Sequence, residues 1–522
     1  MHSGSVGVCK SLGVATEVEV SEAAESSAPH LQRELLAVDI AVLTLGVIFA
    51  VLVRLWLVRT RLGQLNGDEA VVGLMAHRLV EHGQLRVFFW GQSYGGTLEA
   101  MFVAALFRVF GTSIWVLKAA PMLLDAVAAA LVYRIGRRLT SVRVAAYAAV
   151  VFLCGPGGIT WLSTTSRGFY WATLVLGLAV VLYTLRLFDE PRSTRDWIGL
   201  GLVSGLGFWQ SPQILYFVVP AAVTIVLRLR RKVVNGWIAI LPAMVGAAPW
   251  LRVNIADDWK SLNAGALGNP HTTYIHRLYV FAGEGLGSIL GLHINGRWRG
   301  PLHTPLFPVA LVVIVLLIAA RPPLRKRALL VVALVVYPFV FAAFPTSWTV
   351  GEGRYVLFLL PFLALAFMYA ARSRPLQITL VAVAIVLTIG SLHIQENDRL
   401  LEPDKPVPWH NAALRDRLGQ LGVHNAFANY WIAYPLTFQT NERVIVVPII
   451  GSRFSTYDRA VRADPRPAWV LLTGSRVATR FENTLRARRI QFRLDVVGPF
   501  LIFRPAAHVI PEEFNVQKVF ER

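Results

Sequence analysis

The chain has 522 residues, 55% of them hydrophobic, and a mean hydropathy of +0.53, which leaves too little polar surface for an ordinary soluble protein of this size. Its 51 Lys and Arg against 31 Asp and Glu give a net charge of +20, yet the basic residues fall in short clusters between apolar runs. They form neither the basic stripe nor the aromatic interleaving of a nucleic-acid groove, so no nucleic-acid partner is expected.

Residues 1–34 are rich in Ser, Ala and Glu and read as a disordered cytoplasmic tail without the basic and apolar regions of a signal peptide. The two cysteines, Cys9 in this tail and Cys154 in an apolar run, exclude a disulfide framework. No apolar segment precedes Cys9, so it is read as an unmodified tail cysteine rather than a lipoprotein cleavage site.

A spanning helix needs about 20 apolar residues. Candidate runs follow at 35–58, 114–133, 145–162, 169–188, 197–209, 214–227, 236–251, 306–320, 328–344, 355–371 and 376–392, for about eleven spans in all. With the N-terminus inside, alternate connections are basic: Arg134, Arg137, Arg138 and Arg143; Arg186, Arg192 and Arg195; Arg228, Arg230, Arg231 and Lys232; Arg321, Arg325, Lys326 and Arg327; Arg372 and Arg374. This follows the positive-inside rule and predicts a multi-pass plasma-membrane protein with a cytoplasmic N-terminus.

Two outer connections, 59–113 and 252–305, are each about 50 residues long, far beyond an ordinary turn, and so are the place to seek function. In the first, Val71, Val72, Leu74, Met75 and Leu79 fall on one face of a predicted helix over 70–81 that ends at Gly83, expected to lie along the membrane interface. The run 97–110 spans only about 21 Å as a helix and is read as a second surface helix. Beyond 394 the composition becomes charged. Strand-like runs at 443–447, 468–473 and 491–504 alternate with helical patterns at 412–421, 457–463 and 477–489. This predicts an extracytoplasmic α/β domain over 394–522, after a transmembrane domain over 35–393.

The residues best placed for chemistry follow the first span, in Asn66-Gly67-Asp68-Glu69-Ala70. Two adjacent carboxylates just outside the membrane, Asp68 and Glu69, are candidate catalytic acids, suited to deprotonating a hydroxyl or holding a divalent cation. They equally suit a helix start, Asp68 as N-cap and Glu69 as a first-turn acid. His77 and His82, five apart, do not share a helix face as a metal pair would. Gly91-Gln92-Ser93-Tyr94-Gly95 matches a nucleophile-elbow pattern, but in a loop between spans it lacks the parallel sheet an elbow needs. In the second candidate span, 114–133, Asp125 sits mid-span with Lys118 two turns earlier on the same face; the expectation is that Lys118 snorkels to the interface and Asp125 pairs inside the bundle.

An apolar first span, an outer Asp-Glu pair, two loop helices, the Gly91-to-Glu99 stretch and a succession of short-looped spans together resemble the C-type (GT-C) fold of membrane glycosyltransferases, the group of the protein O-mannosyltransferases and aminoarabinose transferases. The resemblance covers 35–392 and is best from Asp68 to Arg138. It implies an inverting glycosyltransferase that moves mannose or another envelope sugar, a hexose or pentose, from a polyprenyl-phosphate donor to a hydroxyl on a glycan, lipid or protein acceptor. It further implies Asp68 as general base, with Glu69 and Glu99 supporting the site or a divalent cation, the one candidate cofactor. Gly351-Glu352-Gly353-Arg354-Tyr355 looks like the Arg-Tyr-then-Pro segment of these enzymes, which implies that Arg354 and Tyr355 meet the donor phosphate. A guanidinium suits phosphate because its planar donors bind two oxygens at once, although Arg354 also suits an interfacial anchor. Arg252, Lys260, Arg277, Arg297 and Arg299 are further cations in the second long connection.

In one respect the chain departs from these relatives, which often carry another acid after the third span. Here that segment offers Thr164, Thr165, Ser166 and Arg167, which leaves the acceptor open. The alternative class is a multi-span transporter or lipid flippase, but no internal repeat is present and the acids lie in a connection rather than at the midplane.

Overall fold

The computed structural model describes residues 35–262, 272–294, 296–299, 304–322, 324, 327–345, 353–400 and 411–514. The tail with Cys9, as well as Gly351 and Glu352, lies outside the described residues. The apolar runs are helical, except that the run expected over 145–162 is broken at Cys154–Pro156 into two: α1 Ala37–Arg59, then, after the first long connection with α2 Gly67–His82 and α3 Leu98–Phe110, α4 Ile114–Leu139, α5 Val142–Leu153, the short α6 Gly157–Leu162, α7 Tyr170–Asp189, α8 Thr194–Gln210, α9 Leu215–Leu229 and α10 Ile240–Ala256. A two-stranded hairpin, β1 His293–Ile294 with β2 Arg297–Trp298, precedes α11 Leu306–Ala319, α12 Ala328–Ala343, α13 Leu360–Ala370 and α14 Arg374–Leu400. Leucines and valines of α1, α10 and α11 stay exposed on the outside of the bundle, which makes the chain a polytopic membrane protein whose covering solvent is lipid.

Two charges inside the bundle pair with each other, as a medium without water favours. Asp125 accepts from Arg54 Nη2 at 2.7 Å, and Arg54 also donates to the carbonyls of Ala50 and Leu153. Asp125 thus joins α4 to α1, in keeping with a structural role. Lys118 does not snorkel; its side chain is 1% exposed and turns inward toward α2. Two of the basic connections meet, where Arg134, Arg137, Arg138 and Arg186 line a common cleft and Arg138 reaches Asp189 at 2.5 Å.

The C-terminal part contains α15 Asn411–Gln420, β3 Asn425–Ala428, α16 Tyr430–Gln439, β4 Ile445–Pro448, α17 Ser455–Ala463, β5 Ala468–Leu472, α18 Arg476–Ala487, β6 Phe492–Val497 and β7 Phe500–Pro505. The sheet order is β4-β3-β5-β7-β6, with β3 parallel to β4 and β5, and β7 antiparallel to β5 and β6. The single strand expected over 491–504 is a hairpin broken at Gly498 (φ 55°). The β3 strand and the α16 helix were not foreseen: four residues, Asn-Ala-Phe-Ala, carry almost no alternation.

The interfacial helix expected in the first connection is instead enclosed by protein. Ala70 to Ala76 are all buried, so α2 presents no apolar face to lipid. One hydrophobic core runs from α2, α3 and the start of α4 into the C-terminal sheet, joining Val71, Val72, Leu74 and Phe107 to Phe427, Tyr434, Phe438 and Trp469. Trp90 stacks on Phe454 at 4.0 Å, and Arg78 bridges to Glu442 with its guanidinium over the rings of Phe454 and Tyr457.

Candidate active site

The N-terminus of α2 is capped by Asn66, whose Oδ1 accepts from Glu69 N at 3.0 Å. Asp68 is therefore not the cap, and its carboxylate is left for other contacts. Successive helical residues point about 100° apart, so the adjacent acids Asp68 and Glu69 face different surroundings. Asp68 is 24% exposed, whereas Glu69 is 0% exposed.

Glu69 accepts from Lys118 Nζ with both oxygens, at 3.0 and 2.9 Å. Burial pushes its carboxyl up, opposed by Lys118, by the backbone N–H of Ser166 and by the charge of Arg167. The expected catalytic pair thus resolves into one accessible acid and one acid held in an internal ion pair. Glu99 is also buried: its Oε1 accepts from Gly168 N at 3.3 Å, and burial pushes it up to about 8, with Glu69 adding to the rise. The unusual Thr164-to-Arg167 segment therefore has a role, because backbone N–H groups of 166–168 and the Arg167 charge receive the two buried acids. Glu69 and Glu99 are both 0% exposed, and no cluster of three His, Cys, Asp or Glu suited to a metal occurs among the described residues. His77 is engaged with Thr112 Oγ1 at 3.3 Å.

Asp68 Oδ1 accepts from the Tyr430 hydroxyl at 2.5 Å and lies 3.8 Å from Arg453 Nη2. Arg453 Nε in turn donates to the Tyr430 oxygen at 3.2 Å, and Arg453 N donates to Tyr434 Oη at 2.6 Å. Tyr430 and Arg453 follow the C-terminal ends of the adjacent parallel strands β3 and β4, where α/β sheets present their functional loops. Burial and the Asp68 charge hold the Tyr430 phenol well above its ordinary range, so it remains a donor.

The Gly91-to-Gly96 stretch closes the side of this space. Phe89 N donates to Gly95 O at 2.8 Å and Gly96 N to Gln210 O at 2.8 Å, which turns the loop back on itself and presents Tyr94. Among the described residues the only pairing around Ser93 is the antiparallel bridge of Phe88 with Gly96, not the parallel sheet an elbow needs, so the elbow pattern is coincidental. Burial raises the Tyr94 phenol, and the neighbours that act on it electrostatically are Tyr355, Arg453, Arg354 and Asp68. The site thus draws together residues from the first connection, the α12–α13 connection and the C-terminal sheet. Arg354 lies beside the Tyr355 ring, 5.0 Å from its centroid, and the Tyr355 carbonyl accepts from Tyr337 at 3.0 Å. Of the other cations considered, Arg277 is committed to the carbonyls of Ala342 and Thr272, both at 2.6 Å.

Residues 97–252 match the sequence family described as dolichyl-phosphate-mannose-protein mannosyltransferase. Among solved structures the chain is similar to ArnT from Cupriavidus metallidurans bound to undecaprenyl phosphate, at 14% identity and a TM-score of 0.57, covering 88% of this chain and 97% of that one. For ArnT in the apo state the figures are 12%, 0.58, 88% and 97%. The chain has the GT-C fold. The family match begins beyond Asp68 and leaves the C-terminal part outside it. Comparison with curated proteins finds no match.

Tyr94, Tyr430 and Arg453 are the residues of this site that sequence reasoning missed. Tyr94 stood inside a motif already singled out; Tyr430 and Arg453 belong to a strand–helix unit too short to announce itself.

Proposed function

We propose that this protein transfers a sugar from a polyprenyl-phosphate donor to a hydroxyl acceptor, on the extracytoplasmic side of the plasma membrane. The observation that carries the reading is the convergence of an accessible carboxylate, Asp68, and the guanidinium of Arg354 on the space around Tyr94. Asp68 takes the acceptor's proton as the acceptor oxygen attacks the anomeric carbon from the face opposite the phosphate. The bond from that carbon to the phosphate oxygen breaks, and Arg354 receives the charge that develops there. Tyr355 orients Arg354 through its ring.

An apolar cavity of about 310 Å³ supports a lipid-linked donor. Its lining includes Leu292, Phe307, Leu360, Leu363, Phe367 and Leu387, and α13, which supplies three of these, starts just after Arg354 and Tyr355. A polyprenyl chain in this cavity would leave its phosphate at the end near Arg354.

No step is assigned to a metal. The donor set for one is poor, since both oxygens of Glu69 are occupied by Lys118. EDTA is expected to leave transfer unchanged. Sugar and acceptor are to be found by comparing envelope glycans and glycolipids with and without the gene; mannose is the first donor to try.

The deciding test is Asp68→Asn. Because Asn66 caps α2, the substitution should leave expression and melting temperature near wild type while lowering transfer by about a hundredfold or more. A folded Asp68→Asn protein with wild-type transfer would refute the reading and restore transport or lipid flipping as the alternative.

A further inference from the structure

We propose that the C-terminal sheet domain supplies working residues of the active site, with Tyr430 positioning Asp68 and Arg453 fixing the direction of the Tyr430 hydrogen. The inference rests on the reading of Asp68 as general base.

The donor–acceptor inventory dictates the arrangement. Arginine only donates, an ionised carboxylate only accepts, and a phenol does one of each along a chain. Arg453 Nε fills an acceptor lobe of the Tyr430 oxygen at 3.2 Å, so the hydroxyl hydrogen is directed to Asp68 Oδ1 at 2.5 Å. One carboxylate oxygen is then fixed, and Oδ2 is left to receive a proton. Charge-assisted bonds of this kind polarise one another, and they restrict the rotation of the carboxylate about its side-chain bond. A base on the first turn of a helix needs such restraint, because its reach to the acceptor must hold within a few tenths of an ångström.

Two glycines make the approach possible. A Cβ on Gly67 would stand 2.5 Å from Tyr430 Cε1, and one on Gly91 would stand 2.8 Å from Arg453 Cα. Gly91 also has a φ of 68°. Both glycines belong to the first connection, one beside Asp68 and the other at the head of the loop that carries Tyr94, and each makes room for one of the two residues in question. Alanine at helix position 67 would ordinarily favour the helix. Here it would displace Tyr430.

Steady-state transfer with the donor concentration varied separates positioning from domain docking. Tyr430→Phe should lower kcat by about tenfold to a hundredfold, the value of a hydrogen bond to a charged group, with donor KM changed by less than about twofold. Gly67→Ala should reproduce that pattern. Arg78→Gln, which breaks the Arg78–Glu442 bridge elsewhere on the same domain interface, should lower the melting temperature but keep kcat per folded protein within about twofold. Wild-type kcat in Tyr430→Phe overturns the inference. So does an equal kcat loss in Arg78→Gln, which would reduce Tyr430 to a docking contact. Wild-type transfer in Asp68→Asn would instead overturn the reading beneath it, whatever Tyr430→Phe does.

Discussion

Lys118 Nζ sits between the two carboxylate oxygens of Glu69, at 3.0 and 2.9 Å, although 49 residues separate them in sequence. Both side chains are fully enclosed, which makes the pair a brace between α2 and α4. Removing one partner leaves a charge buried without its counterion. Lys118→Met should therefore destabilise the protein by about 3–5 kcal/mol, whereas Lys118→Met combined with Glu69→Leu should recover most of that loss. Thermal unfolding in detergent checks both. A Lys118→Met protein that melts with the wild type would show that the brace carries little energy.

Glu99 gives a prediction with a definite sign. Burial raises its carboxyl from the ordinary 4.5 to about 8, so the folded protein retains a proton that the unfolded chain releases. The folded state binds more protons across that window, and its stability falls as pH rises from about 4.5 to about 8. Glu99→Gln, which cannot ionise, should flatten this part of the melting-temperature profile. An unchanged slope would mean that Glu99 is charged in the folded protein.

For the donor phosphate, Arg354→Lys is the informative substitution. It keeps the charge but loses the planar fork that grips two oxygens, so donor KM should rise by about tenfold or more. Normal donor affinity in this variant would make Arg354 an interfacial anchor.

The alternation of basic connections along the sequence predicts the orientation. Reporter fusions ending at Arg231 and at Gly422 should report opposite sides of the membrane, the first cytoplasmic and the second exported. Reporters that agree would require an additional or missing span between them.

The bundle was legible because hydropathy and loop charge act over whole segments; the break at Cys154–Pro156 inside the run 145–162 was not, since Gly and Pro there interrupt the helix without lowering its apolar content. The helix over 70–81 was legible as a helix, with Gly83 ending it in the left-handed region (φ 63°), but not as an enclosed one. Periodicity identifies an apolar face without saying whether lipid or protein covers it. Asp68 was chosen from its place after the first span, while the roles of its neighbours depended on partners far along the chain. Glu69 could not be separated from Asp68 without Lys118, and no local pattern marks Tyr430 as its companion across 362 residues. The cap was misjudged by two positions, since Asn, Gly and Asp in succession each permit a helix to start there.

The core shared by α2 and the C-terminal sheet imposes an order on synthesis. Asp68 meets Tyr430 only after 362 further residues have been made, which at 5–20 residues per second takes about 20–70 s. During that interval Val71, Val72 and Leu74 have no sheet to cover them, so the nascent first connection must be shielded by the translocation machinery or by the headgroup region. A chain truncated before β3 would insert all its spans and still leave this surface open, a substrate for quality-control proteolysis rather than an enzyme lacking an accessory domain.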